Sequence, residues 1–185
     1  MPPYPKIDRE MVLNTTFDII KEFGFECVNA RKIAKTLECS TKPLFRLFEN
    51  MEELKSAVMD LVDSEYDNFI SQFVDRNNYL VSKSKAHILF ALREHNLYKA
   101  MFLSNNLEGI SIHNVASAEW NKEAVLAIMN DFSIDNSAAQ KVFIYVWLFA
   151  SGLATELATN KMDICENEID LLLKDFYERL RLSYA

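Results

Sequence analysis

Between Asn29 and Arg46 the chain carries Arg31, Lys32, Lys35, Lys42 and Arg46 against a single acidic residue, Glu38, a local charge of +4. The whole chain stands at −7, and residues 1–50 stand at +1, so the remainder carries −8. Ammonium and guanidinium groups at this density bind phosphate, and a guanidinium can also pair with a guanine edge. An acidic body repels the same polyanion, so any contact with nucleic acid is confined to one short segment. Charge runs also occur on ordinary solvated helices. The elements that carry this one decide its meaning.

Other chemistry finds no constellation. His87, His95 and His113 show neither HxxxH nor HExxH spacing, so no metal site is expected. Cys27, Cys39 and Cys165 are odd in number and form no CxxC pair, and they read as reduced structural thiols. No GxSxG, P-loop or GxGxxG run occurs, so the expectation is a protein that is not an enzyme and takes no cofactor. The longest apolar stretch, Val142 to Ala154, falls short of the roughly 20 residues that span a bilayer and reads as a buried helix with no membrane partner. The start MPPYPKIDRE has no basic segment followed by an apolar one, which places the expectation in the cytoplasm.

The elements come from composition and period. Half of the 185 residues are hydrophobic, while only 3 Gly and 4 Pro occur, three of those prolines within the first five positions. That is too few turn residues for many short strands, and the fold class expected is all-α. Asp8 can cap a helix with Met11, Thr15, Ile19 and Phe23 on one face and Val12, Thr16 and Ile20 beside them, ended by Gly24. Asn29 caps a second, short helix with an Ala30, Ile33, Ala34 and Leu37 stripe, leaving Arg31, Lys32 and Lys35 off it. Ser40 can cap a third, burying Leu44, Leu47 and Phe48, with Pro43 at a position where no amide is needed. Two short helices joined by a tight turn make a helix-turn-helix. Beyond it, Asn50 and Glu53 form a capping box for a long helix to about Asp75, and further helices are expected at about 80–93, 96–104, 114–130, 137–159 and 164–182. The last has Asp163 and Glu166 as its capping box, and the total is about nine helices.

The run GFECVNARKIAKTLECSTKPLFRLFENMEELKSAV resembles the DNA-binding signature of TetR-type repressors. Gly24, Phe25, Ile33, Ala34, Ser40, Leu44, Arg46, Phe48, Glu52, Glu53 and Leu54 match it in order and spacing. The resemblance implies a three-helix DNA-binding head at 1–50 and an effector-binding and dimerisation bundle at 51–185. It implies a homodimer on a palindromic duplex DNA operator, repression, and release by a small apolar organic effector. The recognition helices, Ser40 to Phe48 in each subunit, would enter major grooves about 34 to 36 Å apart. The DNA contacts implied are Asn29, Arg31, Lys32, Ser40, Thr41, Lys42, Pro43, Phe45, Arg46 and Lys55. Departures from the pattern are Glu38 for the usual turn Gly, Phe45 for the usual Tyr, Leu47 for His and Met51 for Lys. A non-Gly residue in a left-handed turn costs on the order of 1 kcal/mol. Fewer phosphate contacts give weaker binding and a shallower salt slope.

Helix 137–159 is apolar nearly all round from Val142 to Ala150, which calls for burial on more than one side. The resemblance makes the last two helices a four-helix dimer interface, here with Ala150, Gly152, Ala154, Leu172, Phe176 and Leu180, and the small residues Ala150, Gly152 and Ala154 allow close approach either across the two-fold axis or inside the subunit. The segment WLFASGLATELATN also looks like the eighth helix of one branch of these regulators, with Ser151 in place of a His. An effector cavity implied by the family would be walled by Leu61, Phe69, His87, Met101, Trp120, Phe143 and Trp147. The alternative is a solid core of the same residues. The rival function is a TetR-like paralogue that works through protein–protein contacts and does not bind DNA.

Overall fold

The computed structural model describes residues 7–104, 111–160 and 162–184. The proline-rich start and most of the joint expected after residue 104 lie outside the described residues. Within them the chain is all-α, with no strand. The helices are α1 (Arg9–Phe23), α2 (Ala30–Thr36), α3 (Leu44–Leu47), α4 (Met51–Ser71), α5 (Tyr79–Arg93), α6 (His95–Phe102), α7 (Ile112–Ser117), α8 (Lys122–Phe132), α9 (Asn136–Asn160) and α10 (Glu166–Leu182). Two compact units result: Met1–Asp67 with Asn96–Ser104, and Asn68–His95 with Asn105–Ala185.

In the first unit α1 starts where expected, because the Asp8 carboxylate accepts the Met11 amide at 2.9 Å. Its buried face is Val12, Thr16, Ile19 and Ile20, and Phe23 is exposed instead of completing the stripe. The buried Thr16 hydroxyl donates to the Val12 carbonyl at 2.7 Å, so the core keeps no unpaired oxygen there. Gly24 ends the helix at φ 92, and a Cβ at that position would sit 2.6 Å from Glu26 Oε1. Only glycine fits such a stop. Asn29 caps α2 through the Lys32 amide at 3.0 Å, and Ile33 and Ala34 go into the core. Full burial of an Ile such as Ile33 stabilises by roughly 1.5–3 kcal/mol.

This unit reaches past residue 50. Leu54, Val58 and Val62 of α4 are buried, Lys21 lies 3.7 Å from Glu65, and the Asn96 amide donates to the Lys21 carbonyl at 3.0 Å. Tyr66 meets Phe102 edge-on at 5.2 Å, which seats α6 in the same unit. Burial of Tyr66, with Asp67 and Tyr98 beside it, pushes its phenol well above the usual range. The compact division therefore falls within α4, at Asp67.

The second unit is organised on α9, packed by α5, α7 and α8. Tyr79, Leu80, Val115, Ile128, Val142, Phe143 and Val146 form its core. By length and composition alone α9 is long and apolar enough to cross a membrane. Its residues Ala139, Val142, Phe143, Val146, Ala150, Ala154 and Leu157 are nevertheless buried against the other helices of this unit, as in a core helix. The helix expected at 114–130 is broken. Ala118 is extended at ψ 144, a 3-10 turn follows at Glu119–Asn121, and the Asn121 side chain donates to the Val115 carbonyl at 2.9 Å. That side-chain bond replaces the amide lost at the break. The capping box of α10 also shifts from the expected Asp163 and Glu166 to Cys165 and Glu168. Glu168 accepts the Cys165 amide at 2.8 Å, and this bond holds its carboxyl below the usual carboxylate range.

Candidate nucleic-acid interface

The turn after α2 solves the problem that Glu38 poses. Glu38 takes φ 51, the Cys39 amide bonds to the Ala34 carbonyl at 2.9 Å, and the Glu38 amide bonds to Lys35 at 3.2 Å. This pair of bonds is a Schellman stop, normally built on glycine, so α2 ends at the cost of left-handed strain. The third helix is shorter than its expected span. Ser40 makes no capping bond, Pro43 stands at the N-cap, and α3 covers only Leu44–Leu47. The Arg46 amide reaches the Pro43 carbonyl at 3.2 Å while Phe45 reaches Thr41 at only 3.5 Å, so the helix opens on a tight turn.

Leu44 and Phe48 are buried as expected, and they fix which side of α3 faces away from the core. Phe45 is 50% exposed, and Lys42 and Arg46 are exposed beside it in sequence. Arg31 and Lys35, four residues apart on one side of α2, are exposed too. Arg31, Lys35, Lys42 and Arg46 make no hydrogen bond or ion pair among the described residues. Thr41 and Pro43 are half-buried and Ser40 is exposed.

Three expected contacts are used inside the head. Asn29 spends its carbonyl oxygen on the Lys32 amide and its Nδ2 on the Cys27 carbonyl at 3.2 Å, so it positions α2. The Lys32 ammonium sits 3.3 Å from the centroid of the Phe23 ring. Lys55 is half-buried, 3.7 Å from Glu52 and 5.6 Å from the Phe25 ring.

Arg9 and the second role of Glu53 are not legible in the basic window. Arg9 Nη1 donates to the Leu47 carbonyl at 2.9 Å and to Glu53 Oε1 at 3.1 Å, and its guanidinium lies 4.2 Å from the Phe48 ring centroid. Glu53 accepts the Glu49 amide at 2.6 Å on its other oxygen, while its own amide takes the Asn50 cap at 2.9 Å. The Glu49 amide first and Arg9 second hold the Glu53 carboxyl below the usual carboxylate range. An Arg just after a helix cap carries no sequence signal for such a role.

The residues of the expected effector wall belong to both units. Leu61 and Met101 belong to the first unit and are half-buried. Phe143 and Trp147 pack in the core of the second, and Phe69 meets Phe90 edge-on at 5.3 Å. Trp120 is 71% exposed in the 3-10 turn, because the break at Ala118 turns it outward. His87 is buried 3.5 Å from the Ser151 hydroxyl, and burial, with Lys83 nearby, lowers its pKa to about 4. Tyr79 is pushed up to about 12 by burial and by Glu123, to which it donates at 3.2 Å.

Of the expected dimer residues, Ala150 and Ala154 are buried within the second unit, so the close approach they permit is internal. Gly152 and Leu172 are exposed, and Leu180 and Phe176 are half-buried, Phe176 stacking on Phe149 at 4.1 Å. The exposed side of α9 also carries Tyr145 and Leu148, which follow Lys141 and precede Gly152 at helical spacing. No protein-family model matches the chain, and no curated protein is significantly similar to it.

Proposed function

We propose that the chain is a homodimeric, ligand-responsive transcription regulator of the TetR type, cytoplasmic, most readily a repressor on a palindromic operator. The observation that carries this reading is a set of four exposed cations on α2, α3 and the residues before α3, Arg31, Lys35, Lys42 and Arg46, which have no hydrogen bond or ion pair among the described residues, together with the exposed ring of Phe45 on α3. An acidic protein that concentrates exposed, uncompensated positive charge on a helix pair this short favours a phosphate backbone as its partner. Arg46 is the candidate for a base edge, Lys42 and the α2 cations for phosphates. A small apolar organic effector would act only through a difference in affinity between two states of the dimer. Selection of duplexes from a random-sequence pool by the purified chain tests the reading. Enrichment of a two-fold symmetric site is expected, and a flat pool with no salt-dependent retention would sink it.

The rival, a paralogue that meets a protein partner instead, is favoured by one observation: Phe45 replaces a hydroxyl-bearing ring and leaves an apolar surface exposed on α3.

A further inference from the structure

A helix of one turn cannot hold its own direction. Leu44–Leu47 has a single turn of backbone bonds, and isolated helices need about 12 residues or more before they persist in water. Yet Phe45 and Arg46 on this turn are the side chains that the DNA-binding reading asks to be aimed within a groove. Something outside α3 has to fix it.

At its start the backbone restraint is weak, since Pro43 offers no amide and Ser40 no capping bond, and the burial of Leu44 holds it. At its end the restraint is dense. The Leu47 carbonyl receives Arg9 Nη1 at 2.9 Å, and the same nitrogen is 3.1 Å from Glu53 Oε1. Glu53 in turn receives the Glu49 amide, in the link between α3 and α4. Phe48 closes the fourth side, buried, with the guanidinium 4.2 Å from its ring centroid. One guanidinium thus ties the first turn of α1, the last carbonyl of α3 and the first turn of α4. It also places positive charge on the negative end of α3, with charge-assisted bonds stronger than neutral ones.

We infer that Arg9 is a positioning residue for DNA recognition, which fixes the attitude of α3 through the Leu47 carbonyl and Glu53 without touching DNA. This role rests on the DNA-binding reading above. It makes a prediction that a phosphate-contacting arginine does not, because a lost phosphate contact flattens the salt dependence by about 0.9 per contact, whereas a misaimed helix leaves the retained contacts of the whole head to respond as before.

The test uses the full chain and the duplex that the wild type selects from a random pool. Arg9→Met is expected to weaken binding by about tenfold at every salt concentration with the slope unchanged, the loss expected of a helix left unsupported. Arg9→Lys, which keeps the charge and can still donate to both oxygens, is expected to recover part of that loss. Glu53→Gln gives the sharper sign. Removing an acidic charge near a phosphate backbone strengthens binding by electrostatics alone, but loosening the clasp weakens it, and weakening is expected. A melting curve for each variant confirms that binding is measured on folded protein. A slope reduced by about one in Arg9→Met, no loss in that variant, or tighter binding by Glu53→Gln overturns the positioning role while leaving DNA binding intact. Selection of no duplex by the wild type overturns the DNA-binding reading, and this role falls with it.

Discussion

The Lys32 ammonium stands 3.3 Å from the centroid of the Phe23 ring, joining α2 to the end of α1. This separates Lys32 from its basic neighbours, since its charge is already used where theirs is not. A cation over an aromatic face contributes about 0.5–1 kcal/mol at a partly exposed site. Lys32→Met is therefore expected to lower stability by about that amount and to leave the salt slope of DNA binding nearly unchanged. The Lys42→Ala, Arg46→Ala double variant is expected to do the reverse, keeping its melting temperature and losing up to about 1.8 from the slope. Equal slopes for the double variant and the wild type would exclude α3 as a phosphate-binding element.

Glu38 carries a second consequence of the turn. Its φ of 51 is left-handed, and the same is true of Ser133 at 54, the stop after α8, where the Ile134 amide bonds to the Met129 carbonyl at 3.3 Å. Both stops have the bond pattern that glycine favours. Replacing Glu38 by Gly relieves about 1 kcal/mol of strain, less what the freer unfolded chain gains, for a net rise of about 0.5 kcal/mol. Ser133→Gly should behave alike. Thermal melts that show a rise of about a degree or two for each would support the argument, and a fall would mean that either side chain makes a contact worth more than its strain.

Most of the head was readable from the sequence because its signals are local. Asp8, Gly24 and Asn29 act within a turn or two of themselves, and each does in the structure what its residue type implies. Ser40 failed as a cap because Pro43, three residues on, took the N-cap and made the helix start later. Helix 114–130 failed for a different reason. Nothing in its apolar period announces that Asn121 will take over a backbone carbonyl at Val115, yet that bond stabilises the break and turns Trp120 outward. Arg9 was invisible because its partners, Leu47 and Glu53, are 38 and 44 residues away. Of the candidate site, the charge was legible and the support beneath it was not.

His87 sets a pH dependence whose sign is fixed by burial. Its pKa is lowered to about 4, against about 6.5 in an unfolded chain. Between those values the unfolded state binds the proton and the folded state does not, so stability rises with pH across this window. The contribution is fully present above about 6.5 and lost progressively as pH falls toward 4, on the order of 3 kcal/mol in all. Carboxylates held low, such as Glu53 and Glu168, act at the acidic end of the window and below it. Denaturant melts at pH 7 and pH 5 should therefore differ in the wild type and differ much less in His87→Gln. An equal pH dependence in both proteins would show that the imidazole is charged or solvated in the folded state.

The exposed side of α9 is where the proposed dimer can be tested. Gly152 is exposed in the middle of this helix, and a Cβ there would meet nothing within 4 Å. In an isolated subunit Gly152→Ala should stabilise by about 0.5–1 kcal/mol, because glycine in a helix interior costs that much against alanine. Leu148 and Tyr145, exposed one and two turns earlier, make the same side apolar. A second copy seated on this side would bury all three positions, and a bulky residue at 152 would then hold the two helices apart. Gly152→Leu and the Tyr145→Glu, Leu148→Glu pair are accordingly expected to yield particles of 21.4 kDa where the wild type gives about twice that mass. Ala154→Leu provides the contrast. Ala154 is fully buried within the subunit, so the larger side chain overpacks the core and costs about 1–3 kcal/mol at any protein concentration. Light scattering across a dilution series separates the two, since only the dimer's stability depends on concentration. A wild type that stays monomeric at micromolar concentration, or a charge pair that still dimerises, would remove this side of α9 from the interface.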